Sequence, residues 1–65
     1  MFKIFITLIN HDNGERREFV HNWLYKSSAE AREDAGKMAY IRFDKKSRKR
    51  VTHECIATVR GPYYV

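Results

Sequence analysis

FKIFITLINHDNGERREFV, Phe2 to Val20, is the stretch on which the fold turns. Its first half, Phe2 to Ile9, is apolar at nearly every position and rich in isoleucine, the pattern of a strand covered on both faces and central in a sheet. Asn13-Gly14 follows, a pair that accepts positive φ and closes tight hairpins. With these two as the turn, Asp12 pairs with Glu15, and Leu8, Ile6, Ile4 and Phe2 face Phe19, His21, Trp23 and Tyr25. One side of the hairpin then collects nearly all its large apolar side chains. A one-residue slip would set Leu8 against Glu18 and scatter that set, so the pattern selects its own register.

Working outward, a helix is expected over residues 28–42. Ser27 and Glu30 have capping-box spacing, Glu30, Glu33 and Asp34 lie near the positive end of its dipole, and Lys37 and Arg42 lie towards the negative end. Ala31, Ala35, Met38 and Ala39 share one face at helical spacing, and such small residues let a helix approach a sheet closely. Residues 51–60 alternate again, with Val51, His53, Cys55, Ala57 and Val59 on one face, before Gly61-Pro62 ends the strand. The expected fold is a single α+β domain, strand-strand-helix-strand: strands at about 2–10, 15–25 and 51–60 form a three-stranded antiparallel sheet ordered 2-1-3. The helix lies on one face. Its crossover sets the second and third strands parallel in direction, with a right-handed connection.

The face away from the helix carries Phe5, Val20, Leu24 and Ile56, which need cover from the tail (residues 61–65) or from another molecule, a homodimer among the candidates. A chain of 65 residues holds one domain, and a domain of this size buries only about 60% of the surface its unfolded chain exposes. One cysteine, Cys55, cannot form an internal disulfide, which suits a reducing compartment. The apolar N-terminus lacks a signal peptide's cleavage site, and no stretch reaches the ~20 apolar residues of a membrane helix, so a soluble cytoplasmic protein is expected.

Charge is unevenly placed. The net charge of +5 arises in the last third, where residues 41–65 hold seven basic side chains against Asp44 and Glu54. Six of these, Arg42, Lys45, Lys46, Arg48, Lys49 and Arg50, fall within nine positions around the basic connection 44–50; the seventh is Arg60. Such a cluster fits phosphate groups of DNA or RNA, an acidic protein surface, or simply a solvated loop. The run lacks interleaved aromatics and any helix-turn-helix, zinc-finger or ribonucleoprotein motif, so sequence-specific reading is not expected.

Catalysis finds little support. Cys55 lies two positions from His53, with His21 on the same face, but neither Cys-x-x-Cys nor His-x-x-x-His spacing occurs, and Cys55 reads as a small buried hydrophobe. Glu33-Asp34 and the pair Glu15 and Glu18 read as surface residues, and Gly14, Gly36 and Gly61 are too far apart for a phosphate loop. No cofactor, metal or enzymatic activity is expected.

A hairpin, the helix SSAEAREDA (residues 27–35) and a strand ending TVRGP (residues 58–62) together resemble the small RNA polymerase inhibitor of T7-like phages. That family has the same strand-strand-helix-strand order, an alanine-containing acidic first helical turn and a strand finishing in Arg-Val-Arg-Pro. Of its two functional arginines, Arg60 matches one and Thr58 stands at the other. The family carries acidic surface where this chain is basic. In size and style the chain is also similar to anti-CRISPR proteins. The resemblance implies a non-catalytic, phage-encoded inhibitor that docks on a host protein or nucleoprotein complex handling nucleic acid, such as RNA polymerase or a CRISPR complex. Direct, sequence-independent nucleic-acid binding through the 42–50 run and a structural homodimer are the alternatives.

Overall fold

The structure is a computed structural model that describes residues 1–64. Five elements follow in order: β1 (Lys3–Asn10), β2 (Glu15–Val20), α1 (Ser28–Met38), β3 (Tyr40–Phe43) and β4 (Val51–Arg60). The fold is α+β, with one helix on an antiparallel sheet, but the sheet has four strands ordered β2-β1-β4-β3 instead of three. The extra strand is the main correction. Helix α1 stops at Met38, and Tyr40, Ile41 and Phe43, aromatic and β-branched residues suited to a pleated surface, pair with β4 in place of continuing to residue 42. The basic run is therefore the loop of a β3–β4 hairpin and not a helix-to-strand connection.

The first hairpin is also set differently. Asn10 pairs with Glu15 and Ile6 with Phe19, so Leu8 meets Arg17 where Phe19 was expected. Among the described residues positive φ occurs only at glycines, here Gly14 at 74°, whereas a two-residue Asn-Gly turn requires it at both positions. The chain forms a longer connection, His11 to Gly14. The Gly14 amide donates to the Asn10 carbonyl at 2.9 Å, and the Asn10 and Asn13 side chains accept from the Asp12 and Glu15 amides at 3.0 and 2.8 Å. The shift is two residues, so the paired side chains of β1 and β2 keep their expected faces. The expected Phe2–Tyr25 pair is nevertheless present, because β2 ends at Val20, not residue 25, and residues 21–24 leave the ladder before Tyr25 returns to it. Trp23, expected opposite Ile4, is 66% exposed on that excursion.

The core is small and lies at one end of the sheet. Ile4, Ile6 and Cys55 on the strands meet Ala31 and Ala35 of α1 and Tyr25 from the connection, with Phe2, Leu8, Met38, Ala57 and Val59 packed around them. The Ser27 hydroxyl accepts from the Glu30 amide at 3.1 Å and caps α1. Tyr25 Oη donates to Asp34 Oδ2 at 2.8 Å, which fixes the connection to the helix. Burial, then this bond to the Asp34 carboxylate and its charge, raise the Tyr25 phenol above its ordinary pKa. Because α1 packs mainly on β4 and lightly on β1, the molecule is long and thin, 46 × 20 × 13 Å.

At the covered end the tail runs beside the N-terminus. The Met1 amine donates to the Tyr63 carbonyl at 2.7 Å and the Tyr63 amide donates to the Met1 carbonyl at 2.6 Å. Gly61 lies at φ 147° with its missing Cβ position 2.8 Å from the Phe2 ring and 2.9 Å from the Met1 carbonyl oxygen. Gly61→Ala is therefore expected to cost ~1–3 kcal/mol, measured as a lower urea midpoint with an unchanged slope.

Candidate polyanion-binding hairpin

Asp44 organises the basic loop. Its Oδ1 accepts from the Lys46 amide at 2.7 Å and the Ser47 amide at 3.4 Å, and its Oδ2 accepts from Arg50 Nη1 at 3.1 Å. The Asp44 amide and Arg50 carbonyl close the hairpin at 2.9 Å. The Lys46 amide first, then the Ser47 amide and the Arg50 charge, hold the Asp44 carboxyl below its ordinary pKa. Its contribution to loop order is thus fully present above the ordinary carboxylate range and lost as pH falls through the lowered value. We expect the Lys46 and Ser47 amide resonances to move together on acidification. The midpoint should lie below that of an unstructured aspartate, and Asp44→Asn should abolish the titration.

Arg50 also pairs with Asp12, in the neighbouring turn of the first hairpin, and the His11 amide donates to the Thr52 carbonyl at 2.8 Å. The two turns are thereby joined side by side. Of the cations expected to bind a partner, Arg50 is engaged by two carboxylates, and the Arg42 guanidinium rests 5.2 Å from the Tyr40 ring centre. Lys45, Lys46, Arg48 and Lys49 are exposed and form no ion pair among the described residues. They are the part of the run free to meet a partner.

Arg60 is not part of that group. It ends the ten-residue β4 that Val51 begins, so about 30 Å of strand separates it from the loop. Its guanidinium lies 4.9 Å from the Phe5 ring centre on the sheet face away from α1. That face keeps Val20, Leu24 and Ile56 exposed beside a half-buried Phe5; Tyr63 sits near Lys3 at 5.1 Å and Tyr64 is almost fully exposed, so the described part of the tail leaves the face open. Val65, included in the expected cover, lies outside the described residues.

The helix side of the sheet is also only half covered. Beyond α1, register places Leu8 beside Arg17, Asn10 beside Glu15, Tyr40 beside Cys55, and Arg42 beside His53. Between them lies an open depression of about 220 Å³ bordered by Leu8, Asn10, Arg17, Tyr40 and His53 together with Ile9 and the carboxylates Glu15 and Glu54. Reading the chain alone missed Tyr40, Phe43 and Arg17; the alternation in YIRF (residues 40–43) was the available signal.

Burial raises the Cys55 thiol above its ordinary pKa, which disfavours the thiolate. No group of three potential metal ligands occurs among the described residues, and none of their helices is long and apolar enough to cross a membrane. Compared with known proteins, the chain matches no family model and has no significant match among curated proteins or solved structures.

Proposed function

We propose that this chain is a non-catalytic basic binding protein that docks by its β3–β4 hairpin tip on a nucleic-acid-handling complex, at phosphates that complex holds, and blocks it. A phage-encoded inhibitor acting in the host cytoplasm, on RNA polymerase or a CRISPR complex, is the role in which such a protein serves. The observation that carries the reading is the loop itself: Lys45, Lys46, Arg48 and Lys49 project unpaired from a turn that Asp44 and Arg50 hold in shape. Each phosphate so neutralised releases condensed counterions, so affinity falls steeply with salt. The test is anisotropy titration of labelled 20-nucleotide duplex and single strands across salt, with recovery of the complex from host lysate by tagged protein. Binding at low salt and recovery that the loop-neutralised variant loses are expected. Failure of both overturns the proposal.

The uncovered outer face supports a second reading, a homodimer through Phe5, Val20, Leu24 and Ile56, which coexists with the first. Sedimentation is expected to give a dimer that Leu24→Asp converts to monomer. A monomer before the change removes this reading.

A further inference from the structure

We infer that the nucleic acid this hairpin takes is single-stranded, with bases stacked on the exposed rings of β3, Tyr40 and Phe43, while the loop holds the phosphates. The inference rests on the phosphate-binding reading and names its substrate class. Its basis is a juxtaposition that the run of basic residues does not display by itself.

The loop begins where Phe43 ends and finishes where Val51 begins, so the strands that carry it bring their side chains directly beneath it. On the helix side those are Tyr40 and Arg42 from β3 and His53 from β4, while Phe43, next to Arg42 in the strand and paired with Val51 across a bulge, ends β3 at the foot of the loop. Tyr40, on the face that elsewhere forms the core, is 43% exposed, and Phe43, at the foot of the loop, is 51% exposed. Helix α1 covers Ile4, Ile6 and Cys55 and stops at Met38, leaving this end without a second layer. Exposed rings on an open sheet beside free cations are the combination that binds unpaired bases, since every base offers a π face and every linkage a negative charge. A duplex hides those faces in its own stack and gains only the phosphate contacts.

The polar surroundings are consistent with that occupant. The Arg42 guanidinium over the Tyr40 ring adds charge at the rings, and Asn10 and His53 supply hydrogen-bonding groups in the depression. Of the acidic groups nearby, Glu15 pairs with Arg17 at 2.9 Å, and Asp12 and Asp44 pair with Arg50. Glu54, which also borders the depression, meets only the His11 ring at 3.3 Å, so one carboxylate without a cationic lysine or arginine stands against Lys45, Lys46, Arg48 and Lys49. The charge left over is positive, as a phosphodiester strand requires.

The test uses the full chain and three probes: labelled 12-nucleotide oligothymidine, a 12-base-pair duplex, and inorganic polyphosphate as competitor. Oligothymidine is expected to bind about tenfold or more tightly than the duplex at equal salt and to resist displacement by polyphosphate. Tyr40→Leu with Phe43→Leu keeps the apolar bulk but removes the ring faces. This double change is expected to weaken oligothymidine binding roughly 10- to 100-fold with the salt slope unchanged, and Tyr40→Trp with Phe43→Trp is expected to retain it. Circular dichroism of each variant checks that the sheet is intact. Equal affinity for duplex and oligothymidine, with a slope that depends on the loop cations, overturns the stacking inference and leaves phosphate binding standing. Folded leucine variants that bind oligothymidine as well as the unaltered chain do the same. Absence of binding to all three probes at low salt overturns both.

Discussion

Ile4→Ala is expected to unfold much of the protein at room temperature. Among the described residues Ile4 is the one large side chain with no exposed surface, and it sits where β1 passes under Ala31 and Ala35 of α1, opposite Val59 of β4. Its backbone carbonyl also receives the His21 amide at 2.9 Å, where the chain departs from β2. Truncating a buried isoleucine costs about 2–5 kcal/mol, the sum of lost transfer free energy and of the cavity left behind. A core of this size rarely supplies more than ~3–5 kcal/mol in total, so the loss is of the same order as the whole stability. The neighbourhood cannot collapse to refill the space, since the facing helical residues are alanines with no length to extend. Urea unfolding followed by circular dichroism measures the effect. Ile41→Ala, on the edge strand β3 and 55% exposed, is the control and is expected to shift stability by less than ~0.5 kcal/mol. Equal midpoints for the two variants would mean that the core is not where Ile4 lies.

Replacing Lys45, Lys46, Arg48 and Lys49 together by alanine is expected to leave stability nearly unchanged and to remove most polyanion binding. None of the four touches the core or bonds through its side chain to another described residue; only the Lys46 amide contributes to the turn, and alanine keeps that amide. Each lost phosphate contact lowers the log–log salt slope by about 0.7–0.9, so four contacts lower it by roughly 3 and weaken binding near 0.1 M salt by two to three powers of ten. Arg50→Ala separates the two roles of the run. It should disorder the joined turns, because Asp12 and Asp44 lose their shared partner, yet it should lower the slope little. A quadruple variant that binds as tightly as the unaltered chain, with the same slope, would leave the loop no part in recognition.

The faces of the fold were legible in the chain, and its exact pairing was not. Alternation along residues 51–60 and the apolar run at residues 2–9 assign the paired side chains of β1 and β4 to the sides they occupy, because a pleated strand has a period of two. A two-residue displacement of the first hairpin conserves that assignment, and hydrophobic pattern is blind to it. The displacement came from Asn10 and Asn13, whose side chains bond the turn and favour a longer connection over the tight one that Asn13-Gly14 suggests. The helix start was legible for a local reason, the Ser27 hydroxyl three residues before Glu30. The helix end was not. Lys37 and Ala39 suit a helix as well as anything, and Tyr40 to Phe43 become a strand only because β4 offers them an edge, a contact between distant parts of the chain.

The same distinction governs the candidate site. Clustering of cations in the chain pointed to the loop, and Lys45, Lys46, Arg48 and Lys49 are free there. Two of the expected partners needed three-dimensional information to be placed. Arg50 is occupied by Asp12, 38 residues away, and Arg60 stands at the opposite end of β4. The apparent lack of aromatics in the run also changes meaning once β3 exists, since Tyr40 and Phe43 lead straight into the loop from a strand that was expected to be helix.

The molecule's proportions have a mechanical implication. With its free cations beyond the start of β4 and a longest dimension of 46 Å, the chain in its proposed role would meet an anionic partner end-on, like a peg. A peg occupies a footprint of one loop but sweeps out space along its whole length. Anything that must pass over the bound strand collides with the shaft rather than with the point of attachment, so obstruction requires far less contact area than a lid of equal reach.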